Sequence, residues 1–161
     1  MTSIYVAAGS NVEPLANLQR ALRELGKHYR LHVSPAYQNK SVGFEGEDFI
    51  NLVVGFESDD TLERVIAHLH EAEAACGRHR DAPKWAPRTM DLDLLLYGDL
   101  ICNEPTLKLP RADLLKRSYM LRPMAELAPN VRHPVVCKTM RELWNQFEDA
   151  DHAMTRIELR L

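Results

Sequence analysis

Trp85-Ala86-Pro87-Arg88-Thr89-Met90-Asp91-Leu92-Asp93-Leu94-Leu95-Leu96-Tyr97-Gly98 begins as a loop and ends as an apolar, strand-like run. Side chains at i and i+2 of a strand point to the same face. Asp91 and Asp93 are therefore expected to project together, with Leu92, Leu94 and Leu96 on the opposite face in a core. Two adjacent like charges repel. A divalent cation clamped between carboxylates and phosphate oxygens relieves that repulsion. A solvated strand edge is the plain alternative. The flanks favour the metal: Arg88 is braced by Pro87, and Arg78, Arg80 and Lys84 lie upstream as cations suited to a phosphate chain.

Outward from this strand, the chain alternates strand and helix signals. Ile4–Ala8 is a short apolar run ending at Gly9, which reads as a strand and turn. Leu15, Leu18, Leu22 and Leu25 recur with helical spacing, with Pro14 in the first turn and Gly26 just past the end. The segment 29–38 alternates through Tyr29, Leu31 and Val33 and breaks at Pro35, which predicts an edge or bulged strand. Phe49–Phe56 reads as a strand. Asp60 is expected as the N-cap of the next helix, with Glu63 three residues on and Leu62, Val65, Ile66 and Leu69 as its apolar face.

The order strand, helix, strand, strand, helix, strand predicts an α+β fold: a ferredoxin-like βαββαβ core, in which two helices cover one face of an antiparallel sheet. Beyond residue 100 we expect a C-terminal extension, with a strand or hairpin near Leu107–Leu109 and helices over 112–116, 120–127 and 139–147. The charged loop 38–48 and the loop 77–90 have the length of functional lids. No repeat or linker divides residues 1–161, so one domain is expected.

Composition narrows the class. At 161 residues the chain is long enough for a full core, and 45% hydrophobic with 27% charged residues is ordinary for a soluble globular protein. A net charge of −3 argues against a nucleic-acid footprint. No run approaches the ~20 apolar residues of a membrane span, and the N-terminus carries no secretory pattern. Cys76, Cys102 and Cys137 form no Cys-x-x-Cys pair and are read as reduced core thiols of a cytoplasmic protein. His68 and His70 sit at i and i+2 of a helix, do not face each other, and are not read as ligands.

Trp85-Ala86-Pro87-Arg88-Thr89-Met90-Asp91-Leu92-Asp93-Leu94-Leu95-Leu96 resembles the signature of the 6-hydroxymethyl-7,8-dihydropterin pyrophosphokinases. Gly9-Ser10-Asn11, Phe49-Ile50-Asn51, Gly77-Arg78-His79-Arg80 and Arg117-Ser118-Tyr119-Met120-Leu121 resemble further elements of that family, in its order, from about residue 4 to residue 129. The resemblance implies transfer of pyrophosphate from MgATP to the hydroxymethyl group of the pterin, with release of AMP, in folate biosynthesis. It implies a metal site at Asp91 and Asp93, holding two Mg²⁺ ions, and stabilisation of developing charge by Arg78 and Arg88.

It further implies that Arg80, Lys84, Trp85, Lys108, Arg111, Arg117, His70 and Glu73 contact the nucleotide. The pterin would lie between Phe49 and Tyr119, with the Asn51 amide at its edge, Asn39 and Val42 beside it, and Trp85 closing over it. The partners implied are these small molecules, with neither nucleic acid nor membrane, and a monomer. Two departures stand out. The first long loop has Asn39-Lys40-Ser41 where the family carries a proline, and Pro110-Arg111 replaces the family's Pro-His. Two alternatives remain open: a paralogous transferase acting on a related heterocycle, and a non-catalytic ligand-binding module.

Overall fold

The computed structural model describes residues 1–39, 48–77, 90–148 and 154–159. Among these, the chain forms β1 (Thr2–Ser10), α1 (Pro14–Gly26), β2 (His32–Val33), β3 (Ala36–Asn39), β4 (Phe49–Ser58), α2 (Leu62–Ala75) and β5 (Asp91–Tyr97). There follow a hairpin of β6 (Cys102–Glu104) and β7 (Leu107–Leu109), a 3₁₀ turn (Ala112–Leu115), α3 (Ser118–Leu127), α4 (Met140–Asn145) and β8 (Thr155–Ile157). The result is a mixed fold with an antiparallel sheet and helices packed on it.

β1 is the spine of the sheet. It pairs antiparallel with β4 on one side and β5 on the other, giving the strand order β5-β1-β4-β3-β8, with β2 also on β4. Alternation along the strands divides the side chains between two layers. Ile4, Val6, Ala8, Leu52, Val54, Leu92 and Leu94 form one core with α1 and α2. Ala7, Val53, Leu95 and Leu96 form a second with α3 and α4. The sequence reading covered one face with two helices. The Met120, Leu121 and Met124 stripe of α3 covers the other.

Several boundaries differ from expectation. Opposite Tyr5 and Val6 the register of β5 shifts: Val6 faces Leu94 while Tyr5 faces Leu96, so Leu95 is an extra residue. Leu96 therefore joins Leu95 in the α3 layer instead of following Leu92 and Leu94. The segment 29–38 is broken as its proline suggested. Ser34 makes the break, accepting a hydrogen bond on its hydroxyl from Val53 N–H at 2.8 Å and donating its own N–H to Val53 O at 2.9 Å. β3 is covered by β8, so it is not the sheet edge. Thr61, not Asp60, caps α2, its hydroxyl accepting from Arg64 N–H at 3.2 Å. The Asp60 carboxylate instead accepts from Tyr29 Oη at 2.8 Å. The helix expected over 112–116 is a 3₁₀ turn. Cys76 is buried and its thiol is pushed up by that burial, whereas Cys137 is exposed and not a core thiol.

Two buried histidines give stability a pH dependence. The ring of His68 on α2 lies 3.7 Å, centroid to centroid, from that of His28, and its Nδ1 is buried without a hydrogen-bond partner. Burial first, and His28 second, hold its pKa below the ordinary 6.5. Burial does the same to His133, whose Nδ1 accepts from Val135 and Val136 N–H. A folded-state pKa below the unfolded one means that the unfolded chain binds more protons as pH falls through that window. Stability is therefore full above about pH 6.5 and declines below it. Melting temperature should fall between about pH 7.5 and about pH 5.5. His68→Gln should flatten that slope, and an unchanged slope would remove His68 from the account.

Candidate active site

The site is built on the two smallest side chains of β1 in the α3-facing layer. Gly9 pairs with Asn51 of β4 and with Asp91 of β5, while Ala7 pairs with Val53 and with Asp93. Residues opposed across antiparallel strands share a face. Asn51, Asp91 and Asp93 thus rise around a floor made by Gly9 and Ala7. A larger residue at position 9 would displace the Asn51 amide, because a Cβ there would overlap Asn51 Oδ1. Gly9 is accordingly a strand residue, not the turn that the sequence suggested, and β1 runs on to Ser10.

Phe49 and Asn39 close one side of the depression, and Tyr119 and Met120 of α3 close the other. The cavity is about 200 Å³ and opens to solvent. Its polar wall is set by a buried amide pair, Asn51 Nδ2 donating to Asn39 Oδ1. Asn39 is the last residue of β3 and pairs with Phe49 across the sheet, which brings both beside Asn51. Burial, more than any neighbouring charge, raises the pKa of the Tyr119 phenol, so it remains a hydrogen-bond donor at neutral pH. An aromatic side chain on each flank with an amide between them suits a flat ligand rich in donors and acceptors.

Asp91 and Asp93 sit at the β5 edge of this cavity, both half-exposed and on the same face as the sequence predicts. Among the described residues no third His, Cys, Asp or Glu joins them to form a metal cage. A pair of carboxylates is what magnesium uses when phosphate oxygens and water complete its shell, so the residues present fit that ion. Arg111 reaches the same place. Its Nη2 lies 3.6 Å from Asp93 Oδ1 and 3.4 Å from Asp113 Oδ2.

Beyond Arg111, the candidate nucleotide residues are less concentrated. Lys108, Arg117 and His70 are exposed and do not line the cavity. Glu73 is buried on α2, and its Oε2 accepts from Leu92 N–H at 3.1 Å, between the two aspartates but beneath the sheet. It fastens α2 to β5 at the point where the carboxylates are presented. Val42, Arg78, Arg80, Lys84, Trp85 and Arg88, with residues 40–47 and 78–89 of the two loops expected as lids, lie outside the described residues, while Gln38 and Asn39 belong to β3. The sequence reading missed Ala7, Gly9 as a floor residue, and Met120. The signal was available: Ala7-Ala8-Gly9 places small residues on a strand that must pack beside bulky neighbours.

The chain matches the family described as 7,8-dihydro-6-hydroxymethylpterin-pyrophosphokinase over residues 5–129. It is 31% identical to a 2-amino-4-hydroxy-6-hydroxymethyldihydropteridine pyrophosphokinase of Aquifex aeolicus, covering 88% of this chain and 90% of that protein. It is 36% identical to the protein of the same name from Pseudomonas aeruginosa, over 81% of this chain and 83% of that one. With the Haemophilus influenzae protein of that name the figures are 32% identity, 98% and 99%. Among solved structures, it resembles a Plasmodium falciparum HPPK-DHPS chain with a TM-score of 0.71 at 12% identity, covering 90% of this chain. This chain spans less than half, 45%, of that longer one.

Proposed function

The chain belongs to the 7,8-dihydro-6-hydroxymethylpterin-pyrophosphokinase family, and from that membership and the cavity's chemistry we infer what each side chain does. The protein is an ATP-dependent pyrophosphokinase. It transfers the pyrophosphoryl group of ATP to the hydroxymethyl group of 6-hydroxymethyl-7,8-dihydropterin and releases AMP, a step of folate biosynthesis. The observation that carries this reading is the juxtaposition of the Asp91–Asp93 pair with the Asn51, Phe49 and Tyr119 walls of one cavity. The experiment is AMP release from MgATP with and without the pterin. Release that ignores the pterin would overturn the reading.

In this account the pterin ring lies between Phe49 and Tyr119, and the paired amides of Asn51 and Asn39 read its edge. Buried amides of this kind discriminate strongly, because a ligand lacking the matching groups leaves them unpaired. The acceptor hydroxyl then points toward Asp91 and Asp93. Magnesium, held there as two ions, supplies charge neutralisation at the phosphates. The two carboxylates fix where the polyphosphate lies, and so hold the β-phosphorus in line with the hydroxyl. Arg78 and Arg88 stabilise charge that develops on the transferred group and on the leaving AMP. Arg80, Lys84, Lys108, Arg111, Arg117 and His70 contribute to nucleotide binding, Glu73 supports it by holding the strand that presents the aspartates, and Val42 and Trp85 contribute to closing the pterin site.

The surrounding architecture is a ferredoxin-like βαββαβ core with a C-terminal extension, in one domain over residues 1–161. It acts as a monomer in the cytoplasm on small molecules, without nucleic acid or membrane. Among the described residues no helix is long and apolar enough to cross a membrane.

Arg88→Ala should lower turnover by about a hundredfold while changing nucleotide affinity by about threefold or less, because a group that contacts developing charge acts mainly in the transition state. Steady-state kinetics beside nucleotide titration decides it. If affinity falls and turnover holds, Arg88 is a ground-state contact.

A further inference from the structure

We propose that Arg111 is a resident counter-cation of Asp93, and that it makes the carboxylate pair accept a divalent ion together with polyphosphate in preference to the bare ion. The inference rests on Asp91 and Asp93 being the metal carboxylates.

One end of the guanidinium is shared. Nη2 lies 3.6 Å from Asp93 Oδ1, which faces the cavity, and 3.4 Å from Asp113 Oδ2, on the 3₁₀ turn outside it. Both separations exceed the roughly 2.7–2.9 Å of a saturated charge-assisted hydrogen bond. The fork is thus held between two anions and closed onto neither. Its Nε is buried without a hydrogen-bond partner, so the root of the group is not anchored by a third acceptor. The backbone is fixed: Arg111 N–H donates to Leu95 O at 3.0 Å, which ties residue 111 to the strand that carries Asp93. A fixed backbone with an unsaturated head lets the head move between nearby anions while staying beside them.

The consequence follows from Coulomb's law. A bare divalent ion at Asp93 must approach a guanidinium already there, and it gives that guanidinium nothing in return. An ion that arrives carrying polyphosphate brings a new anion within reach of Nη2. Arg111 therefore weakens the first ligand and strengthens the second. A purely structural arginine would move both affinities in one direction, or neither.

The test uses Mn²⁺ alone and the magnesium complex of α,β-methylene-ATP, in which the bond to be broken is replaced. Both are titrated calorimetrically into the full chain. Arg111→Gln should bind bare Mn²⁺ about fivefold or more tightly than the parent, and the magnesium–nucleotide complex about fivefold or more weakly. Asp113→Asn removes the competing carboxylate and should shift Arg111 onto Asp93, weakening bare Mn²⁺ binding by about threefold or more. This second variant carries the test if Arg111→Gln does not fold. Unchanged or weakened Mn²⁺ binding in Arg111→Gln, or unchanged binding in Asp113→Asn, overturns the proposal. Asp93→Asn separates the two levels of argument. If it leaves Mn²⁺ binding intact, the metal assignment itself falls; if it abolishes binding while the Arg111 and Asp113 variants do nothing, Arg111's role alone falls.

Discussion

Asp91→Ala and Asp93→Ala should each lower pyrophosphoryl transfer about a thousandfold or more while leaving the protein folded. Both carboxylates are half-exposed at the edge of β5, so their removal opens no core cavity. The strand is held from below by Leu92 and Leu94 and by the Glu73 contact to Leu92 N–H. The melting temperature should therefore change little, relief of repulsion between the two charges being offset by loss of contacts such as that of Arg111 to Asp93. The loss in rate should be large because each carboxylate fixes phosphate charge in the geometry of transfer, an effect concentrated in the transition state. AMP release with magnesium as the sole divalent ion is the measurement, beside thermal melting. Parental turnover in either variant would remove the metal assignment.

The second large effect is expected at a residue that touches no phosphate. Gly9→Ala places a methyl group against Asn51 Oδ1, closer than two such atoms can approach. The amide must swing away, and its bond to Asn39 goes with it. A displacement of about 1 Å at a positioning group costs about a hundredfold in rate. We therefore expect kcat/KM for the pterin to drop about a hundredfold, with nucleotide affinity within about twofold of the parent. The split distinguishes a distorted pterin wall from general damage to the sheet. A comparable loss of nucleotide affinity would show that the floor of the cavity serves both substrates.

Much of this site is legible in the sequence, for physical reasons that differ from residue to residue. The period of a strand is two, so Asp91 and Asp93 announce their shared face without a structure. Asn51 and Phe49 are recognisable only through family resemblance, because an amide and an apolar ring on a strand read as ordinary core. Arg111 could be marked as a cation in a variant position, but its placement between Asp93 and Asp113 depends on the turn that follows β7. Leu96 lies in the layer opposite to the one its alternation predicts, because a bulge depends on how β1 and β5 pair, and local alternation carries no trace of it. β8 gave no signal: Thr155-Arg156-Ile157 is too short for periodicity, and it becomes a strand through pairing with β3.

The extra residue at Leu95 makes β5 unequal in what it tolerates. Upstream of it, parity is everything. Loss of Leu92 would carry Asp91 across to the α1–α2 core or break its pairing with Gly9, so a one-residue deletion there exchanges a charge for a leucine in a dry layer. Downstream, the strand already holds one residue more than regular pairing requires. Removal of Leu95 would spare both aspartates their strand partners; the damage would fall on the packing against α3 and on the carbonyl that accepts from Arg111 N–H. Length variation in this strand is thus filtered by which side of one leucine it falls on. Both carboxylates lie on the side where a shift of one residue is ruinous.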